Sequence, residues 1–196
     1  AWRQIVRTPA ALPAVQPERD TFATAGRSSV TLDTEITRQV LGEVPAAFHA
    51  GVQDILLIAF GLAWAEFLGT GPTPIGIDVE GHGRDEEIAG DDTDLSRTVG
   101  WFTTKYPIAL SLGKISWEQV RTGHTALGAV IKDAKEQLRA LPEGATYGLL
   151  RYLNPGVDLG GADPGIGFNY LGRLGAGAGE LSEDMWRIGD GSLELS

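Results

Sequence analysis

Pro74-Ile75-Gly76-Ile77-Asp78-Val79-Glu80-Gly81-His82-Gly83-Arg84 is the stretch from which the rest of this chain can be read. Ile75, Ile77 and Val79 alternate with Gly76, Asp78 and Glu80, the period-2 pattern of a strand with one buried face. Glu80 then projects from the side away from the core, at the strand's end. Gly81 and Gly83 let the backbone turn and let another group approach the carboxylate and His82 closely. A carboxylate held this way suits proton transfer to or from a substrate. Spacing alone leaves a second reading open, a solvated Glu80 with His82 and Arg84 pairing locally.

Outward from this stretch, an acidic connector from Asp85 to Asp94 leads into Arg97-Thr98-Val99-Gly100-Trp101-Phe102-Thr103. The connector lacks the glycine and the later bidentate Glu of a calcium loop, so it reads as a solvated loop and no metal site is expected. Arg97 has two roles open to it, substrate clamp or salt-bridge partner of the acidic loop, and structural ion pairs are the commoner fate. Lys105 to Leu112 alternates Tyr106, Ile108, Leu110 and Leu112 with the residues between them. This gives a second strand that Pro107 confines to an edge or a bulge.

Upstream, Val52 to Leu68 is the most apolar helix, with Val52, Ile55, Leu56, Ala59, Phe60, Ala63 and Phe67 as its expected core face. Gly69 to Pro74 ends it, and Asp54 sits where a carboxylate complements the helix dipole. Ser29-Val30-Thr31-Leu32 reads as a short strand. Asp33 or Thr34 then caps a helix carrying Ile36, Val40 and Leu41. Residues 1–28, rich in Pro, Ala, Arg and Thr, read as an extended linker, with room for a helix near Ala1 to Val6, leading into a lobe over 29–196.

Downstream, Ser116-Trp117-Glu118-Gln119 is a capping box that opens a helix to about Ala140, with Val120, His124, Leu127, Ile131, Ala134 and Leu138 on one face. His124 is expected as a hydrogen-bonded core histidine, and the three histidines have no zinc spacing. Tyr147 to Leu153 suggests a short helix before a turn at Asn154-Pro155-Gly156. Gly165-Ile166-Gly167-Phe168-Asn169-Tyr170-Leu171-Gly172 reads as a strand with Ile166, Phe168 and Tyr170 on one face and Asn169 on the other. Its third glycine is misplaced for a dinucleotide fingerprint. A Gly-rich loop over Arg173–Gly179 and final strands near Asp184–Arg187 and Ser192–Leu195 complete the reading.

Composition narrows the classes. With 196 residues, 42% of them hydrophobic, the chain has enough apolar material for a real core. The absence of cysteine excludes disulfides and thiolate chemistry. Ala1 to Leu12 has no signal-peptide pattern and no apolar run is long enough to span a bilayer, so a cytoplasmic protein is expected. The net charge of -10, with 16 basic residues scattered along the chain, argues against a nucleic-acid partner.

Glu80-Gly-His-Gly-Arg84, Asp94-Leu-Ser-Arg-Thr-Val-Gly-Trp-Phe-Thr103 and Tyr106-Pro107 resemble the epimerization domains of nonribosomal peptide synthetases, within the condensation-domain superfamily. Asp54-Ile-Leu-Leu-Ile-Ala-Phe-Gly61, Pro142-Glu-Gly-Ala-Thr-Tyr-Gly148 and Phe168-Asn-Tyr-Leu-Gly172 match in the same order. The family's HHxxxDG motif belongs to an N-terminal half and has no counterpart here, so the resemblance is to the C-terminal lobe. The fold it implies is an α/β lobe of the chloramphenicol-acetyltransferase type, a mixed β-sheet with helices packed chiefly on one face.

The resemblance implies an isomerase that interconverts L and D configuration at the α-carbon of an aminoacyl or peptidyl thioester. No cofactor is bound directly; the substrate rides on the phosphopantetheine of a carrier protein. Glu80 matches the family's catalytic glutamate, His82 and Arg84 would orient or tune it, and Asn169 and Tyr170 would line the same site. Adjacent strand residues point to opposite faces, so Asn169 and Tyr170 both reach the site only through a bulge. The implied partners are an N-terminal lobe carrying HHxxxDG, a peptidyl carrier protein and other synthetase domains, and the lobe by itself would be inactive. A condensation-type acyltransferase lobe and a non-catalytic docking lobe are the alternatives. The joint presence of EGHGR and FNYLG favours the first reading.

Overall fold

Three strands position the site, and the chain is arranged to bury the middle one. The structure, a computed structural model, describes residues 1–9, 11–69, 71–82, 94–95 and 97–172. Arg84, the acidic connector as far as residue 93, the Gly-rich loop after Gly172 and the two C-terminal strand expectations lie outside the described residues. Strand β1 (Ile75–His82) pairs antiparallel with β2 (Thr103–Leu110) and parallel with β3 (Gly167–Phe168), giving the order β2-β1-β3. The sheet is therefore mixed, as expected for this α/β class.

The alternation in β1 predicts one buried face, but Ile75 to Val79 are all buried. Ile77, Val79, Ile108 and Leu110 form the core face. On the other face Gly76 has no side chain, which lets Thr8 and Pro164 lie across it, and Asp78 beside it is covered as well. Asp78 donates its N–H to the Ile166 carbonyl (2.8 Å) on the β3 side. Its pairing with Pro107 across the ladder is thus a non-hydrogen-bonded one. The N–H that Pro107 lacks would point away from β1, off the edge of the described sheet, so the proline costs no ladder bond.

The long helices lie on the core face. Short α1 (Trp2–Ile5) is followed by a largely exposed stretch in which 29–32 forms no strand; Val30 is 87% exposed and no strand among the described residues pairs with it. Helix α2 (Thr34–Arg38), capped by Asp33 accepting from the Ile36 N–H (2.7 Å), runs through a π-helical turn (Gln39–Glu43) into α3 (Val44–Phe48). At His49, in left-handed conformation (φ 50°), the chain turns by 98° into α4 (Val52–Leu68). Lys135 and Arg139 cap that corner by donating to the Phe48 and His49 carbonyls. Among the described residues no single helix is long and apolar enough to cross a membrane.

The buried face of α4 is Leu57, Ile58, Gly61 and Leu62, whereas Ala59, Ala63 and Phe67 of the expected face are exposed. Nearly every position of this helix is apolar, so periodicity does not single out a stripe; contact with the sheet does. A Cβ on Gly61 would lie 2.8 Å from Leu110 Cδ2 and 3.2 Å from Leu112 Cδ1, so the missing side chain sets how closely helix and sheet approach. Asp54 closes the N-terminus by accepting from the Gly51 N–H (2.9 Å), and Gly69 ends the helix in left-handed conformation.

The expected helix from Ser116 to Ala140 is two helices, α5 (Trp117–Arg121) and α6 (Thr125–Arg139). The Ser116 capping box is present, with the Gln119 N–H donating to Ser116 Oγ (3.2 Å). Gly123, at φ 62°, breaks the helix, and His124 is not in the core: exposed, it caps α6 by accepting from the Ala126 N–H (3.2 Å). Leu127, Ile131, Ala134 and Leu138 pack on the core as their spacing predicts. Helix α7 (Ala145–Gly148) continues into a π-helical turn (Leu149–Leu153) and a turn at Pro155-Gly156. Tyr147 from this piece buries with Trp2 and Leu159, and Trp2 donates its indole N–H to Thr146 Oγ1 (3.1 Å). The first helix of the chain is thus docked on the lobe.

A charged pair spans β1 and β2 on the face opposite the helices. Lys105 Nζ lies 2.9 Å from Asp78 Oδ2, with the Asp78 side chain 7% exposed and that of Lys105 55%. Burial pushes the Asp78 carboxyl above the ordinary aspartate range, against the downward pull of the Lys105 ammonium; the same contact raises Lys105.

Two outcomes follow. Gly61→Val forces overlap with Leu110 and should lower stability by about 1–3 kcal/mol in urea unfolding. Lys105→Met leaves a buried carboxylate without its cation, at a cost of about 1–2 kcal/mol at pH 7 because water still reaches the site. A carboxyl raised in the folded state loses stability as pH rises through its folded value. The Lys105→Met deficit should therefore be smallest below the ordinary aspartate value of 3.8 and grow towards neutrality, as read by unfolding at several pH values.

Candidate functional site

Glu80 occupies the last turn of the ladder before the glycines, directly opposite Lys105. Strand parity puts Asp78, Glu80 and His82 on one face of β1, with their cross-strand partners Pro107, Lys105 and Thr103 beside them. On the other flank Asp78 pairs with Gly167 and Val79 with Phe168, so Asn169 continues the strand on Glu80's face. Asp78, Glu80, Lys105 and Asn169 line one cavity, with Gly165 and Gly167 in its wall. All four polar groups thus converge from three strands of one sheet.

His82 ties the two flanks together. Its Nε2 lies 2.7 Å from Asn169 Oδ1 and its Nδ1 3.2 Å from Thr103 Oγ1. With Oδ1 as acceptor, Nε2 carries a proton, and Nδ1 of a neutral ring accepts from the Thr103 hydroxyl. An imidazolium donates to both oxygens instead, so the bridge holds in either state. This bond occupies Asn169 Oδ1 and leaves its amide N–H₂ able to face the cavity.

The structure brings Glu80, His82 and Asn169 together; it does not bring in Tyr170. Strand β3 ends at Phe168, and the half-buried Tyr170 beyond it does not line the cavity. Only Gly167 and Phe168 of the expected longer strand have ladder geometry, while Ile166 and Phe168 take the core side as predicted. Arg84 lies outside the described residues. Arg97 is exposed, and the acidic residues 85–93 proposed to pair with it also lie outside the described residues.

The expected site omits the charged groups beneath Glu80. Lys105 contacts Asp78 and, at 3.9 Å, Asp163. Asp163 is held at 3.3 Å by Arg151, which also donates to the Tyr147 hydroxyl (2.7 Å) and the carbonyls of Leu159 and Gly161. Period-2 parity with Glu80 is the signal that would have found Asp78. Lys105 needs the hairpin register, and Asp163 and Arg151 carry no sequence signal at all. A neighbouring cavity shares Lys105 and is otherwise walled partly by Tyr147, Leu149, Tyr152 and Asp163. Among the described residues, no group of three or more His, Asp or Glu side chains could hold a metal ion.

Comparison with known proteins gives this geometry a family. Residues 2–172 match the Condensation domain family. The chain is 40% identical over 179 residues to chondramide synthase cmdD of Chondromyces crocatus, covering 90% of this chain and 4% of that protein. It is 40% identical over 144 residues to surfactin synthase subunit 2 of Bacillus subtilis (strain 168), covering 73% of this chain and 4% of that one. The chain thus spans a small part of the length of these relatives. Among solved structures, the epimerization domain from the third module of tyrocidine synthetase B is similar at a TM-score of 0.50 and 34% identity, over 63% of this chain and 25% of that one. With the match covering most of its length, the chain belongs to the condensation-domain family.

Proposed function

We propose that this chain is the C-terminal lobe of an epimerization domain, supplying Glu80 as a proton-transfer group at the α-carbon of a carrier-bound aminoacyl or peptidyl thioester. The observation that carries the reading is the convergence of Glu80 and Asn169, from the EGHGR and FNYLG motifs, on one cavity, with His82 hydrogen-bonded to Asn169. The likeness to the tyrocidine synthetase epimerization domain supports the same choice within the family.

In this reading the thioester acidifies the α-proton. Glu80 takes it, the C–H electron pair moves into the thioester carbonyl, and an enolate oxygen bears the charge. Asn169, with Oδ1 occupied by His82, donates its amide N–H to that oxygen. A histidine of the HHxxxDG motif in an N-terminal lobe returns a proton to the opposite face of the carbon, restoring the thioester with inverted configuration. Arg84 is assigned to orienting Glu80, and no step is assigned to Tyr170. The phosphopantetheine arm of a peptidyl carrier protein brings the substrate, and the neighbouring synthetase domains act before and after it. An acidic lobe offers an acidic carrier no long-range attraction, so docking relies on local contacts or covalent tethering.

The test is deuterium uptake from solvent at the α-carbon of a carrier-bound aminoacyl thioester, using this chain together with its N-terminal lobe. Uptake should fall about 10²–10⁴-fold in Glu80→Gln, the usual worth of a positioned base. Equal uptake in parent and variant removes Glu80 from the chemistry. No uptake in the folded parent, with peptide-bond formation present, assigns the lobe to condensation instead.

A further inference from the structure

Lys105 is paired with the wrong carboxylate for its place in the ladder. Glu80 is its direct cross-strand neighbour. Because Asp78 sends its N–H towards β3, Glu80, two residues on, does the same, and Glu80 and Lys105 form a non-hydrogen-bonded pair, the type in which opposed side chains come closest. An ion pair between them is what that register favours. Yet Lys105 Nζ reaches back along the diagonal to Asp78 at 2.9 Å, with Asp163 a second acceptor at 3.9 Å. Among the described residues Glu80 takes part in no ion pair, although it and Lys105 line one cavity.

We propose that Asp78 is a positioning residue: by holding the Lys105 ammonium on the diagonal it keeps that cation off Glu80 and leaves Glu80 free to accept a proton. The physical preference is clear. Asp78 is buried, so its attraction for the ammonium is screened less than that of the more accessible Glu80. Asp163, fixed by Arg151, adds a second negative group on the same side. Among the described residues, the charged or titratable groups around Glu80 are Asp78 and His82 on β1, Lys105 on β2, and Asp163 with Arg151 behind it from the 151–163 segment; Asn169 on the third side is neutral. Of these, Lys105 is the cation within reach of both carboxylates. Once released from Asp78 it has two carboxylates left to it, Asp163 at 3.9 Å and Glu80 directly across the ladder, and an ammonium on Glu80 favours the charged carboxylate and weakens it as a base.

This inference rests on Glu80 as the proton-transfer group, but its test is separable from that reading. Carbodiimide-driven amidation requires a protonated carboxyl, so its rate at Glu80 against pH, read by peptide mass spectrometry on the full-length protein, reports proton occupancy without any turnover. Asp78→Asn and Asp78→Thr should each move the Glu80 labelling profile down by about one pH unit, a tenfold lower rate at a given pH on the upper limb. Adding Lys105→Met to either should return the profile to that of Lys105→Met alone. Two Asp78 variants guard against one that fails to fold. Profiles that coincide with the parent overturn the proposal. So does a shift that survives removal of Lys105, since a merely structural defect would not be cancelled by deleting the cation. Deuterium uptake followed in parallel judges the other reading: its absence in the parent ends the epimerase assignment, while the labelling still decides what Asp78 does.

Discussion

The burial of β1 on both faces is the constraint from which the rest of the arrangement follows. Val79 and Ile77 press on the helical side, while Gly76 and Asp78 lie under the covering residues of the other. A strand fixed between two layers and two neighbouring strands cannot slip in register without moving its core residues to the wrong face. Glu80 inherits that rigidity because it lies one residue beyond the buried run, where exposure begins. The carboxylate is therefore presented by a rigid element, and Gly81 after it has no side chain where a Cβ would lie 2.8 Å from Thr104 Oγ1.

Much of this was legible in the sequence because the signals were local. The α4 limits, its Asp54 and Gly69 ends, the Asp33 and Ser116 caps and the β1 and β2 strands each depend on residues within a few positions of one another. The misreadings share a different cause. The buried side of α4 was misplaced because an almost wholly apolar helix has no preferred stripe until Gly61 meets Leu110 and Leu112. The break at Gly123 was passed over because the apolar spacing continues across it, so His124 was assigned to a core it never enters. The stretch 29–32 has the right residue types but no partner strand among the described residues.

The candidate site shows the same division. Glu80, His82 and Asn169, named from motifs, lie together in the structure, whereas Tyr170, named beside them, does not line the same cavity. The Asp78–Lys105 pair was not found, because a diagonal contact depends on the hairpin register and on which carboxylate is drier. Its energetics are those of a half-buried ion pair: burial costs the carboxylate, the ammonium offsets part of that cost, and solvent at Lys105 limits the exchange. A pair of this kind adds little to net stability and a good deal to where a charge sits.

The parallel pairing of β1 with β3 has a consequence for how the site comes into being. Strands β1 and β2 pair within one stretch of the sequence, whereas Asp78 meets Gly167 only across 89 positions. Contacts of such separation form late, after local ones have organised. On a ribosome, Glu80 emerges long before Asn169. Between the emergence of Glu80 and that of Asn169 the nascent lobe has the glutamate strand in hand and one wall of the cavity unmade.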